Sequence, residues 1–97
     1  MLNKDFLTRD YLRRLRNEVS FNKLFHRLGW PHKRVGNQLR FVCPVCQESQ
    51  TSVNDRTNLA RCFRCELNWN PIDFTMAATN CEFRQAVAQV EDLLPPA

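Results

Sequence analysis

The chain has 97 residues, 43% of them hydrophobic, with five cysteines, only two glycines and a formal charge of +4. A chain of this size buries a modest core and leans on a metal, a disulfide or a partner for stability. No apolar run reaches the roughly 18 residues of a membrane span, and the start, MLNKDFLTRDYL, has acids and no apolar stretch before a small-residue cleavage site, which excludes a secretory signal.

The expected compartment is therefore the reducing cytoplasm, where paired cysteines are metal ligands more often than disulfides. Charge is unevenly spread. Residues 1–42 carry ten Lys/Arg against three Asp/Glu, and residues 43–97 carry four against seven. A basic front half of that kind suits a polyanion partner.

In chain order, Thr8 can cap a helix whose Tyr11, Leu12, Leu15 and Val19 follow the 3.6-residue period, with Arg9, Arg13, Arg14 and Arg16 on the other face. Ser20 is a second cap, for a short helix with an apolar stripe of Phe21, Leu24, Phe25 and Leu28, ending at Gly29 with Pro31 beyond. The expectation is two short helices, or one bent near residue 20. Residues 32–38, His-Lys-Arg-Val-Gly-Asn-Gln, read as a basic loop or turn. Strands are expected where Leu39 and Phe41 alternate with Gln38, Arg40 and Val42, from Thr51 to Asp55, and from Leu59 to Phe63, with a polar turn at Asp55–Asn58 between the last two. Asn70-Pro71-Ile72-Asp73 is a helix start, with Asn at the N-cap, Pro at N1 and Asp at N3. A last amphipathic helix is expected from Glu82 to Leu93, burying Phe83, Ala86, Val87, Val90 and Leu94, and stopped by Pro95 and Pro96.

The chemistry lies in Cys43-Pro-Val-Cys46 and Cys62-Phe-Arg-Cys65, separated by fifteen residues. Each short loop points two thiolates at one place, and a hairpin between them can join the pairs. Four soft sulfurs suit one tetrahedral zinc ion, with rubredoxin-like iron as the chemical alternative. A closed four-thiolate site has no open position, so the metal is expected to be structural and no residue is expected to be catalytic. Cys81 has no partner and reads as a small apolar residue. His26 reads as an interfacial helix residue, and His32 matches no ligand spacing. The candidate nucleic-acid contacts are Lys33, Arg34, Arg40, Arg61 and Arg64, with Phe63 and Trp69 as aromatics that either stack on bases or pack in the core.

The same residues resemble the N-terminal zinc-binding domain of bacterial and phage DNA primases, also called the CHC2 zinc finger. In that family the first pair reads about Cys-Pro-Phe-His-x-Glu-Lys-Thr-Pro-Ser-Phe, against Cys43-Pro44-Val45-Cys46-Gln47-Glu48-Ser49-Gln50-Thr51-Ser52-Val53 here. Its second pair, Cys-Phe-Gly-Cys, corresponds to Cys62-Phe63-Arg64-Cys65. The following Gly-x-x-Ile-x-Phe-x-Met and Phe-x-x-Ala-Val correspond to Asn70–Met76 and Phe83–Val87, and a Lys-x-x-Gly loop to Lys33–Gly36, so the resemblance covers about residues 8–94. Cys46 replaces the usual histidine ligand, and Leu67, Asn68 and Asn70 replace glycines. This pattern is that of a divergent, all-cysteine member, of the kind a phage, plasmid or other mobile element carries.

The resemblance implies a small α+β zinc ribbon: a short antiparallel sheet with N-terminal and C-terminal flanking helices. Residues 1–97 are expected to be a single zinc-binding domain, made of a basic helical arm and loop (1–37), the ribbon (38–69) and C-terminal helices (70–97). It also implies contact with single-stranded DNA template in replication or primer initiation. With no polymerase domain before Ala97, the chain is expected to be a non-enzymatic accessory module or subunit of a primase. The alternative is a protein-docking zinc module that recruits a separately encoded primase, polymerase or helicase.

Overall fold

The computed structural model describes residues 8–96. The Thr8 hydroxyl accepts the Tyr11 N–H at 3.2 Å and opens α1 (Arg9–Glu18), while the Ser20 hydroxyl accepts the Lys23 N–H at 3.3 Å and opens α2 (Phe21–Leu28). Val19 and Ser20 are extended, so the helices are separate rather than one bent rod. Gly29, at φ +63°, closes α2: its N–H and that of Trp30 donate to the carbonyls of His26 and Phe25, at 3.2 and 2.8 Å. Those bonds satisfy carbonyls that a helix end leaves free.

Residues 32–38, expected as a basic loop or turn, hold a turn, but one flanked by strands in a hairpin. β1 (His32–Val35) pairs antiparallel with β2 (Gln38–Phe41) across the two-residue turn Gly36-Asn37. The turn is a tight-hairpin one, with Gly-Asn between two runs and Gly36 at φ +62°. β1 hid because it is mostly exposed and polar, without the apolar alternation that marks a half-buried strand.

β3 (Thr51–Asn54), β4 (Leu59–Cys62) and β5 (Leu67–Trp69) form an antiparallel meander in that order. β5 was also missed, because three residues immediately after a cysteine pair are too few to show a period. One side chain bridges the backbones of the two sheets. The Thr51 hydroxyl donates to the Phe41 carbonyl at 2.6 Å and accepts the Phe41 N–H at 2.9 Å, standing in for a backbone partner. Thr51 is buried, so both exchanges satisfy groups that water does not reach.

The β3–β4 turn is tied to the helices. Asn58, at φ +53°, donates from its Nδ2 to the carbonyls of Arg16 and Val19, at 2.8 and 2.9 Å, which are orphan acceptors at the end of α1. Alanine cannot make these bonds and tolerates the left-handed backbone poorly. Asn58→Ala is therefore expected to cost about 2 kcal/mol in urea unfolding of the zinc-loaded protein. A change below about 0.5 kcal/mol would show that the tie carries no stability.

α3 (Pro71–Thr79) starts at the expected cap, with the Asn70 side chain accepting the Asp73 N–H at 2.8 Å, and ends at Asn80 in the left-handed region. α4 (Phe83–Glu91) buries Ala86, Val87 and Val90 as expected, but Phe83 is 41% exposed. It sits at the first position of α4, where it escapes the face that packs on α3 and α1. Leu15 and Val19 of the first helical segment, Phe21, Leu24 and Phe25 of α2, Leu39 and Phe41 of β2, and Ile72 and Phe74 of α3 complete one core. Phe74 is its hub, with the rings of Phe21, Phe25, Trp30, Phe41 and Trp69 all edge-on to it at 5.2–6.1 Å. The molecule is thus a small α+β zinc ribbon: short antiparallel sheets flanked by helices at both ends of the sequence. Among the described residues no helix is long and apolar enough to cross a membrane.

Candidate metal centre and the surface around it

The two cysteine pairs are turns at the ends of strands. Cys43 follows β2, and Cys62 is the last residue of β4. Backbone geometry shapes each turn: the Gln47 N–H donates to the Cys43 carbonyl at 2.9 Å, and the Cys43 N–H donates to the Glu48 carbonyl at 2.8 Å. Gln47 and Glu66, each directly after the second cysteine of its pair, hold φ of +63° and +58°. A side chain there costs of order 1 kcal/mol, which the cross-linked turn sustains.

All four sulfurs lie within 4.8 Å of one another. Cys43 Sγ is 3.9 Å from Cys65 Sγ, and Cys46 Sγ is 3.7 Å from Cys62 Sγ. A tetrahedral ion with Zn–S bonds of about 2.3 Å spaces its sulfurs about 3.8 Å apart, so the cluster is sized for one zinc ion. Backbone N–H groups point at the sulfurs: those of Val45 and Cys46 reach Cys43 Sγ at 3.3 and 3.4 Å, and that of Cys65 reaches Cys62 Sγ at 3.4 Å. Such donors stabilise thiolates.

The proton balance of the thiols follows from this crowding. Burial, followed by its sulfur neighbours, pushes Cys65 up to about 12, and burial also raises Cys43 despite its two N–H donors. At Cys62 burial acts the same way, but the N–H of Cys65, the neighbouring thiols and the N–H of Arg64 outweigh it and bring the thiol below its ordinary value. Four negative sulfurs so close together need a cation. Bound zinc supplies it, and with every position taken by sulfur the ion is structural.

Of the residues singled out as possible nucleic-acid contacts, the fold brings two pairs together. Lys33 and Arg40 are cross-strand partners in the hairpin. Arg61 pairs with Ser52 and Asn68 across the meander, and its guanidinium carbon lies 5.5 Å from the centre of the Phe63 ring. Phe63 is 56% exposed, on the face of the meander turned away from the core. Arg34 is exposed opposite Leu39, on the other face of the hairpin from Lys33, and Arg64 is exposed in the second cysteine turn. Trp69 is corrected. It is only 7% exposed, with Phe41 and Phe74 against its ring, so it packs in the core and presents no face to a base. The two aromatics separate because Trp69 pairs with Ala60 on the inward face, while Phe63 continues the outward parity of Arg61. Ser52 and Asn68, neighbours of Arg61 on the outward face, were missed: the β3–β4 register reveals Ser52, and the β4–β5 register Asn68. They line an open concavity of about 600 Å³ with Arg61 and Phe63.

Cys81 is half-buried against the core, its sulfur lies 3.9 Å from the Thr75 carbonyl, and it is not part of the four-cysteine cluster. His26 is exposed, its ring edge-on to His32 at 4.7 Å, and the His32 Nδ1 is 2.6 Å from the Trp30 carbonyl. Neither histidine belongs to the cluster.

A family model described as the CHC2 zinc finger matches residues 7–94. No curated protein matches the chain significantly.

Proposed function

The chain belongs to the CHC2 zinc finger family, the zinc-binding modules of primase type, and on that premise we propose that it holds single-stranded nucleic acid during replication or primer initiation. The observation that carries this is the Arg61–Phe63 pair on the outward face of the meander. An aromatic ring that is more than half exposed, in a domain short of core, is an unused stacking surface. The guanidinium over the ring supplies charge for a phosphate and a cation–π contact. Ser52 and Asn68 beside them offer hydrogen bonds to sugar or base edges. The zinc ion contributes rigidity: it fixes the end of β4, from which Phe63 projects, and performs no chemistry. Catalysis belongs to a primase or polymerase partner, and the chain acts as its accessory module.

Fluorescence anisotropy with a short labelled single strand, repeated across a salt series, tests this. Phe63→Ala is expected to weaken binding about 10-fold, within the roughly 1–3 kcal/mol that one stacked base contributes. Arg61→Gln is expected to reduce the slope of log affinity against log salt by about one. Both variants should keep their zinc, since neither side chain is buried in the core. Wild-type affinity in a zinc-loaded Phe63→Ala would remove the stacking platform from the account. If no strand bound at low salt while a primase, polymerase or helicase did, protein docking would replace strand binding as the function.

A further inference from the structure

We propose that the outer face of the β1–β2 hairpin is a separate site for a terminal phosphate group, carried on the end of a strand or on a nucleotide. Lys33 and Arg40 are directly opposite in the hairpin register, so both side chains leave the same face about 5 Å apart at Cβ. Like charges opposite one another destabilise a hairpin. Among the described residues neither has a carboxylate within ion-pair distance: the ion pairs are Arg13–Asp10, Arg14–Glu18 and Arg27–Asp92, all on or beside helices. A lysine on an edge strand can serve to block edge pairing. That purpose does not account for Arg40, whose strand has β3 beside it, with the Thr51 hydroxyl bonded to both backbone groups of Phe41.

The surroundings form a binding site. Gln38 Oε1 accepts both Nε and Nη2 of Arg40 at 3.3 Å, which orients the guanidinium and leaves its remaining N–H donors free. Ser49, from the loop after the first cysteine turn, closes one wall, and its hydroxyl makes no side-chain hydrogen bond among the described residues. The turn that the zinc ion braces holds this loop through the Cys43 N–H to Glu48 carbonyl bond, at 2.8 Å. Pro31 and Val42, joined by a backbone bond at 3.1 Å, continue the Lys33–Arg40 face and give the cleft an apolar end. Its volume of about 310 Å³ takes a phosphate and the sugar attached to it.

An ammonium, a guanidinium and a hydroxyl converging without an acid select an anion. Two fixed positive charges match the −1.5 to −2, roughly, of a terminal phosphate better than the single charge of a carboxylate or a phosphodiester, and its three oxygens match the three donors. The cleft shares no lining residue with the Arg61–Phe63 concavity, so it can be tested apart from that platform.

The test uses the zinc-loaded full chain. Pyrophosphate, titrated while amide NMR signals are followed, is expected to give saturable shifts at Lys33, Arg40 and Ser49, abolished in the Lys33→Gln/Arg40→Gln double variant. This readout needs no strand, so it can succeed or fail independently of the platform. Strands with a 5′-phosphate, a 3′-phosphate or neither then identify the source: a preference of about 5- to 10-fold for one phosphorylated end, lost in the double variant, places a strand end in the cleft. Equal strand affinities with saturable nucleoside triphosphate binding place a free nucleotide there. The proposal is overturned if pyrophosphate produces no saturable shift, or if its shifts persist in the folded double variant.

Discussion

Removing zinc, by chelation or by Cys62→Ala, is expected to abolish the cooperative unfolding transition of the whole β-region. The strands are three or four residues long, and β2 and β4 end at the cysteine turns, so the ion anchors the registers that everything else follows. A structural zinc site supplies on the order of 10–16 kcal/mol of binding free energy, more than the roughly 5 kcal/mol by which a domain of this size is stable. Cys62 is fully buried and lies 3.7 Å from Cys46 Sγ, so its loss leaves three ligands and a cavity. Zinc stoichiometry by metal analysis and thermal unfolding by circular dichroism check the result together. If Cys62→Ala kept one tightly bound equivalent and a full transition, the ligand set would be wrong. Since zinc takes thiolates, binding releases protons, and the loaded state must weaken as pH falls. The Cys43 and Cys65 thiols, held above their ordinary values before metal binds, add to that dependence.

Phe74→Ala is expected to cost about 3–5 kcal/mol, near the limit of what the fold can lose. Phe74 is completely buried at the centre of five aromatic rings, two from α2 and one each from the segment after it, β2 and β5. Its removal opens a cavity that the surrounding rings, each held by another contact, cannot collapse to fill. Urea unfolding of the zinc-loaded variant measures the loss, and Phe74→Leu, which retains much of the volume, should lose less than half as much. A loss under about 1 kcal/mol would mean that the hub is not the centre of the core.

The two variants separate the metal from the core as sources of order. Cys62→Ala should lose its zinc together with the ribbon, whereas Phe74→Ala should keep its zinc while the helices and the ribbon weaken together. The single buried hydroxyl of Thr51, bonded to both backbone groups of Phe41, shows how little besides zinc and the aromatic cluster joins the two sheets.

Much of this protein is determined by short-range sequence. Caps at Thr8, Ser20 and Asn70 and the stop at Gly29 are local events, set by side-chain hydrogen bonds to the nearest backbone groups and by the steric freedom of glycine, and they lie where the residues themselves predict. The four-sulfur cluster is equally local in origin, because each Cys-x-x-Cys turn converges by its own geometry and only one hairpin is needed to join them. Tertiary structure decided what local pattern cannot carry. β1 and β5 exist because neighbouring strands accept their backbone bonds, not because of apolar alternation of their own. Register then sorted side chains that look alike in sequence: one residue of parity sends Trp69 into the core and leaves Phe63 in solvent, and pairing sets Lys33 against Arg40. A strand alternates faces at every residue, so which aromatic packs and which cations meet depends on the partner strand, and that information lies many residues away along the chain.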